Sequence, residues 1–167
     1  MKVPNKVFWA KALGLLAVVA SMGYAFQSRF QIGIDPQKTL SMEKRVFLID
    51  TKDQHLERGG IFVFKTQGAE PVYADGTELV KRVVGMPGDR VEITPYFDIL
   101  VNGERVARGL WHLRQLEQGE VRKKFTGTRV LNDNEYWVTG RSFKSFDSRY
   151  FGPITSAQIK GRAYGLF

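Results

Sequence analysis

The chain has 167 residues, 43% apolar and 25% charged, which fits one globular domain with a small appendage and argues against disorder, collagen-like repeats or a multi-span membrane protein. It has no cysteine and only two histidines, His55 and His112. Thiol catalysis, disulfide scaffolds and cysteine-based zinc sites are therefore excluded, and a Ser-His-Asp triad would have to use one of those two histidines. Of the net charge of +8, Lys2, Lys6 and Lys11 supply +3 and the rest of the chain only +5, with its basic residues interspersed among acids. The tightest basic cluster, Arg122, Lys123 and Lys124, reads as a solvated face, so no nucleic-acid partner is expected. No cofactor or metal is expected either.

Residues 12–26 read ALGLLAVVASMGYAF, fifteen residues without a charge. Extended back to Val7 the stretch is interrupted only by Lys11, and twenty helical residues span roughly 30 Å, the thickness of a bilayer core. Three lysines precede the apolar run, which predicts a cytoplasmic amino terminus and an export of everything beyond it. Residues 1–26 are thus expected to form the cytoplasmic start and a transmembrane anchor in the inner membrane, with a β-rich domain at 27–167 on the periplasmic side. A cleavable signal peptide has the same basic start, apolar stretch and small residues near Ala20 to Ala25, and it also exports the domain.

Residues 27–40 lack a clear period. Strand-like runs follow at 45–50 (RVFLID), 61–65 (IFVFK), 79–84 and 90–94, with the turn Met86-Pro87-Gly88-Asp89 between the last two. Residues 99–101 and 104–106 flank Asn102-Gly103, a pair suited to the positive φ angles of a type I′ hairpin. Further strands are expected at 129–131, 136–139 and 159–166, and one short helix at 109–118. Many short strands with turn punctuation predict a mainly β, antiparallel domain behind one amino-terminal helix.

Four segments bear on chemistry. They are Thr39-Leu40-Ser41-Met42, ahead of the first strand run; RGGIFVF at 58–64; VKRVVGMPGD at 80–89; and SFDSRYFGPI at 145–154. In this order the set resembles the bacterial type I signal peptidases, the Ser/Lys proteases that remove export signals. The third segment is similar to that family's lysine box and the fourth to its S-x-D-S-R-Y-x-G box. The second is similar to R-G-D-I-V-V-F with Gly60 in place of Asp, and the first to a nucleophile box, S-x-S-M-x-P-T-L, with Lys44 in place of Pro. The family's G-D-N is absent; Gly140-Arg141-Ser142 stands there. The short chain and the phrase IGID at 32–35 resemble the compact branch that processes pilin precursors in conjugative transfer.

The resemblance implies Ser41 as nucleophile, Lys81 as general base, and Thr39 and Ser145 as oxyanion and orienting groups. Asp147 and Arg149 would be a structural pair beneath the site. A serine hydroxyl needs a base, and a lysine serves only when burial lowers its pKa. Lys81 sits among Leu79, Val80, Val83 and Val84, and alternation puts it on one face with Leu79 and Val83. Ser142, Ser145 and Ser148 are rival nucleophiles, and Thr39 has the alternative of a turn hydrogen bond. Met42 would line a shallow pocket for small residues or simply join the core. The expected partners are an exported precursor, carrying a signal or propilin peptide, and the lipid bilayer. Cleavage with cyclisation of the product would use the same acyl-enzyme. A non-catalytic envelope module of a type IV secretion apparatus is the competing reading; a self-cleaving repressor lacks its DNA-binding domain here.

Overall fold

The computed structural model describes residues 5–37, 40–112 and 125–167. Helix α1 (Lys6–Arg29) starts where the Asn5 side chain accepts the Phe8 N–H at 2.9 Å. Its 24 residues are apolar enough to cross a membrane, and none of them is buried against the rest of the chain. At the last residue of the helix the Arg29 guanidinium grips Asp50 at 2.6 Å, a cation at the carboxyl end of a helix.

Eleven strands among the described residues form two antiparallel sheets. They are β1 (Phe30–Ile34), β2 (Val46–Asp50), β3 (Ile61–Lys65), β4 (Glu78–Gly85), β5 (Arg90–Ile93), β6 (Asp98–Val101), β7 (Glu104–Arg108), β8 (Gly127–Val130), β9 (Glu135–Thr139), β10 (Ile154–Thr155) and β11 (Ile159–Gly165). The larger sheet runs β1-β2-β11-β3-β4-β9-β10 and the smaller β7-β6-β5-β8. The expected mainly β, antiparallel class with one apolar amino-terminal helix holds. In the hairpin between β6 and β7, Asn102 and Gly103 both take positive φ, 52° and 87°, as a type I′ turn requires.

Two differences from the sequence reading stand out. Residues 27–40 contain a strand: β1 leaves α1 without a loop and pairs with β2 from Phe30↔Asp50 to Ile34↔Val46. A single helical turn, Ser148–Phe151, closes the fourth motif, its amino end capped by Asp147. The expected helix at 109–118 lies mostly outside the described residues, and Gly109, at φ 82°, is not helical.

The core has three parts. Leu56, Phe62, Phe64, Leu79, Val83, Val138, Ile154 and Ile159 pack on one side of the larger sheet. Val91, Ile93, Ile99 and Val101 of the smaller sheet pack on Leu131 and Trp137. Met42, Phe47, Ile49, Val63 and Ala163 form the third group, directly beside Ser41. Met42 is therefore a core residue, which anchors the backbone next to Ser41.

Candidate functional site

Strand β4 carries Lys81 into the interior. Its burial alternates residue by residue, with Leu79, Lys81 and Val83 inside and Glu78 and Arg82 outside. The Lys81 side chain is thus fully enclosed, 2% exposed. Its Nζ lies 2.9 Å from Ser41 Oγ, on a residue that is itself 4% exposed. Forty positions of sequence separate the two, and the fold closes that distance.

Burial penalises an ammonium and pushes the Lys81 amine from its usual 10.5 down to about 8. The carboxylates of Asp147 and Asp35 oppose this by favouring the charged form, and the Arg149 guanidinium adds to it. An amine with that pKa is neutral in about one molecule in ten at pH 7, where an ordinary lysine is almost wholly charged, and a neutral amine can accept the proton of the hydroxyl it touches.

Residues 140–149, which run into the fourth motif, wrap behind Ser41. The Ser41 carbonyl accepts the Arg141 N–H at 2.8 Å. Gly140 must be glycine, because a Cβ there would collide with Ser145 Oγ and with the Ser41 carbonyl oxygen. Gly140 N–H donates to Asp147 Oδ2 at 2.8 Å. Asp147 in turn receives Arg149 Nε and Nη2, both at 2.7 Å, in a two-pronged pair that is almost wholly enclosed. The remaining Arg149 donors hold the Gly109 carbonyl at 2.9 Å and the Ser145 carbonyl at 3.1 Å. One buried ion pair therefore fixes the segment that carries Ser145 and the segment that supports Ser41.

The structure brings Ser41, Lys81, Ser145, Asp147 and Arg149 into one neighbourhood; Thr39 lies outside the described residues. One expectation needs correction. Ser145 does not bond the Lys81 amine: its Oγ is buried with no hydrogen-bond partner, because it is turned toward Gly140 while the amine is engaged with Ser41. Ser145→Ala should therefore unfold at or above the wild-type temperature in a thermal melt, since no folded-state hydrogen bond is lost. A clear drop would show that the hydroxyl has a partner after all. Ser148 is excluded as a rival by its position: its Oγ accepts the Val138 N–H at 2.9 Å within the core.

A cleft of roughly 350 Å³ opens beside the pair. Ile34, Phe47, Ile49, Val63, Leu79 and Val80 make its walls apolar, and Asp35, Gln37 and Tyr73 add polar groups that sequence reasoning did not assign to the site. Residues 78–81 pair with β3 on one side, whereas β9 pairs only with Arg82, Val83 and Gly85 on the other. Among the described residues no strand covers that second edge of 78–81, which lies along the cleft. An extended peptide can add there through main-chain hydrogen bonds. No three His, Asp or Glu side chains among the described residues gather as a metal-ligand set.

The family model described as "Signal peptidase, peptidase S26" matches residues 6–167. Signal peptidase I V of Bacillus subtilis is 38% identical over 97 residues, covering 52% of this chain and 56% of that protein. A probable signal peptidase I-2 of Synechocystis is 27% identical over 158 residues, covering 93% of this chain and 66% of that protein. A probable conjugal transfer protein TraF of Sinorhizobium fredii is 39% identical over 85 residues, covering 51% of this chain and 43% of that protein. The chain thus spans between about two fifths and two thirds of the length of these relatives.

Proposed function

The chain belongs to the signal peptidase S26 family, and from this we propose that it is a membrane-anchored serine endopeptidase that removes signal or leader peptides from exported precursors. The observation that carries the proposal is the buried contact of 2.9 Å between Lys81 Nζ and Ser41 Oγ at the wall of an apolar cleft.

The chemistry runs as follows. An extended precursor lies along the open edge of residues 78–81, with a small side chain before the scissile bond set against the apolar wall. Neutral Lys81 takes the Ser41 hydroxyl proton as the oxygen attacks the scissile carbonyl. The tetrahedral oxyanion is stabilised by the Ser41 N–H and, as the family resemblance implies, by Thr39. The ammonium of Lys81 then gives its proton to the departing amine, leaving the acyl group on Ser41. Water, deprotonated by the same amine, releases it. Asp147 and Arg149 hold the geometry and carry no proton.

Helix α1 serves as the anchor in the inner membrane, with the first residues cytoplasmic and residues 27–167 exported to the periplasm. The lysines at 2, 6 and 11 support that orientation. Likeness to a probable conjugal transfer protein supports a role in conjugative transfer, and for that role we propose a precursor of pilin type. A cyclising variant differs only in the last step, where an amine of the product replaces water. Co-expression with candidate pilin precursors and mass measurement of the product tests the whole reading. Loss of the leader alone is the expected result. A further loss of one water means cyclisation. Unprocessed precursor with the wild-type chain, or equal processing with Ser41→Ala, contradicts the proposal.

A further inference from the structure

Asp35 follows β1 and lines the same cleft as Ser41 and Lys81. It is only 8% exposed. Its Oδ1 accepts the Gln37 N–H at 2.9 Å, while its Oδ2 is buried with no hydrogen-bond partner. The main chain around it is fixed: the Asp35 N–H donates to the Arg45 carbonyl at 2.8 Å, and Arg45 Nη1 donates to the Asp35 carbonyl at 3.0 Å. Arg45 thus spends that bond on the backbone, and among the described residues no cation forms an ion pair with the Asp35 carboxylate.

A carboxylate oxygen withdrawn from water and left unpaired carries a desolvation penalty that a donor would remove. The cleft around it is otherwise largely apolar, so packing does not explain an acid there. Its charge also works against the base, by favouring the protonated form of Lys81. The lining holds a second carboxylate, Glu78, which is paired with Lys160 at 2.8 Å. With Glu78 balanced by Lys160, the Asp35 carboxylate is the unbalanced charge of the described cleft whenever Lys81 is neutral, and it complements a cation.

We propose that Asp35 is a specificity-determining residue whose unpartnered Oδ2 receives the ammonium or guanidinium of a lysine or arginine side chain in the precursor bound along residues 78–81. This rests on the peptidase reading above. It predicts that the processed precursor carries a basic residue a short distance before its cleavage point, on the face of the extended peptide that turns toward Asp35.

The test uses the full chain in detergent micelles. Ser41→Ala protein, unable to turn over, is titrated with peptides that have an apolar stretch ending in Ala-Xaa-Ala. Each peptide carries one lysine, or norleucine, which keeps the four-carbon stem and lacks the amine, stepped through the residues before the cleavage point. At one position lysine should bind about tenfold more tightly than norleucine, the contribution of one well-placed charged hydrogen bond. Asp35→Asn in the same background should erase that difference, since it keeps the Oδ1 acceptor for Gln37 and removes the charge. Asp35→Lys should turn the preference toward glutamate. Equal affinity for lysine and norleucine at every position, no binding of either, or a lysine preference that survives in Asp35→Asn overturns the proposal. Turnover of the norleucine peptides by protein with Ser41 intact is read separately. Lysine-selective binding through Asp35 without turnover contradicts the peptidase reading alone, and turnover without selectivity contradicts the Asp35 proposal alone.

Discussion

Lys81→Met should give a protein that is inactive and more stable than wild type. Methionine matches the length of the lysine stem and fills the same enclosed space beside Ser41. Loss of a general base costs about 10²–10⁴-fold in rate. The gain in stability follows from the shifted pKa. The folded chain holds the amine at about 8, against 10.5 when exposed, so below pH 8 folding must bury an ammonium. At about 1.4 kcal/mol per unit the cost is about 3 kcal/mol, and it fades as pH rises from 8 toward 10.5 because the unfolded chain then binds more protons than the folded one. Urea unfolding of wild type and Lys81→Met should therefore diverge at pH 7 and converge toward pH 10.5. Lys81→Arg should also be inactive although it keeps the charge, because guanidinium is not deprotonated in proteins. A Lys81→Met protein less stable than wild type at pH 7 would mean that the amine stabilises the fold and that burial does not strain it.

Asp147 should be the most costly acidic residue to remove. Asp147→Ala leaves the Arg149 guanidinium enclosed without its counter-charge and deprives the Gly140 N–H of its acceptor. Breaking a buried pair from one side costs about 3–5 kcal/mol. At about 2–4 °C per kcal/mol for a chain of this size, the melting temperature should fall by roughly 6–20 °C. Replacing both partners, Asp147→Leu with Arg149→Met, should cost less than Asp147→Ala alone, because no uncompensated charge remains. Circular dichroism melts decide this. Equal melting temperatures for wild type and Asp147→Ala would mean that the pair does not hold the segment behind Ser41.

Much of this arrangement was legible in the sequence, for identifiable reasons. β3 is legible to the residue because IFVFK is a compact apolar run that follows two glycines and ends on a lysine. The hairpin at Asn102-Gly103 was legible because few residue pairs tolerate two positive φ angles. β1 was not. Ile32 and Ile34 are exposed, and Gly33 presses on Ile49, where a Cβ would stand 2.8 Å from the Ile49 Cδ1, so neither alternation nor β-branching marks the strand's inner face. β10, of two residues, is too short to carry a pattern.

The pairing of Ser41 with Lys81 was readable only from the order of the motifs, since nothing local in either segment specifies the other. The substitution at Gly60 has a physical reason: a Cβ there would stand 2.6 Å from the Phe62 ring, so this backbone leaves little room for a larger residue. The direction of the Ser145 hydroxyl depends on how closely Gly140 approaches, and the isolation of Asp35 depends on which groups the cleft happens to gather. Both are properties of tertiary packing, and sequence spacing does not encode them.

The central claim is that a neutral Lys81 amine activates Ser41, and the pH dependence of kcat for wild-type cleavage of a leader peptide tests it most directly. The sign is fixed by the role. A base must be deprotonated to act, so kcat should be level well above pH 8 and fall about tenfold per pH unit well below it, following the amine at about 8. Circular dichroism at each pH separates this from unfolding. A kcat that stays flat from pH 9 down to pH 6 in folded protein, or that rises as the amine becomes charged, would contradict the account.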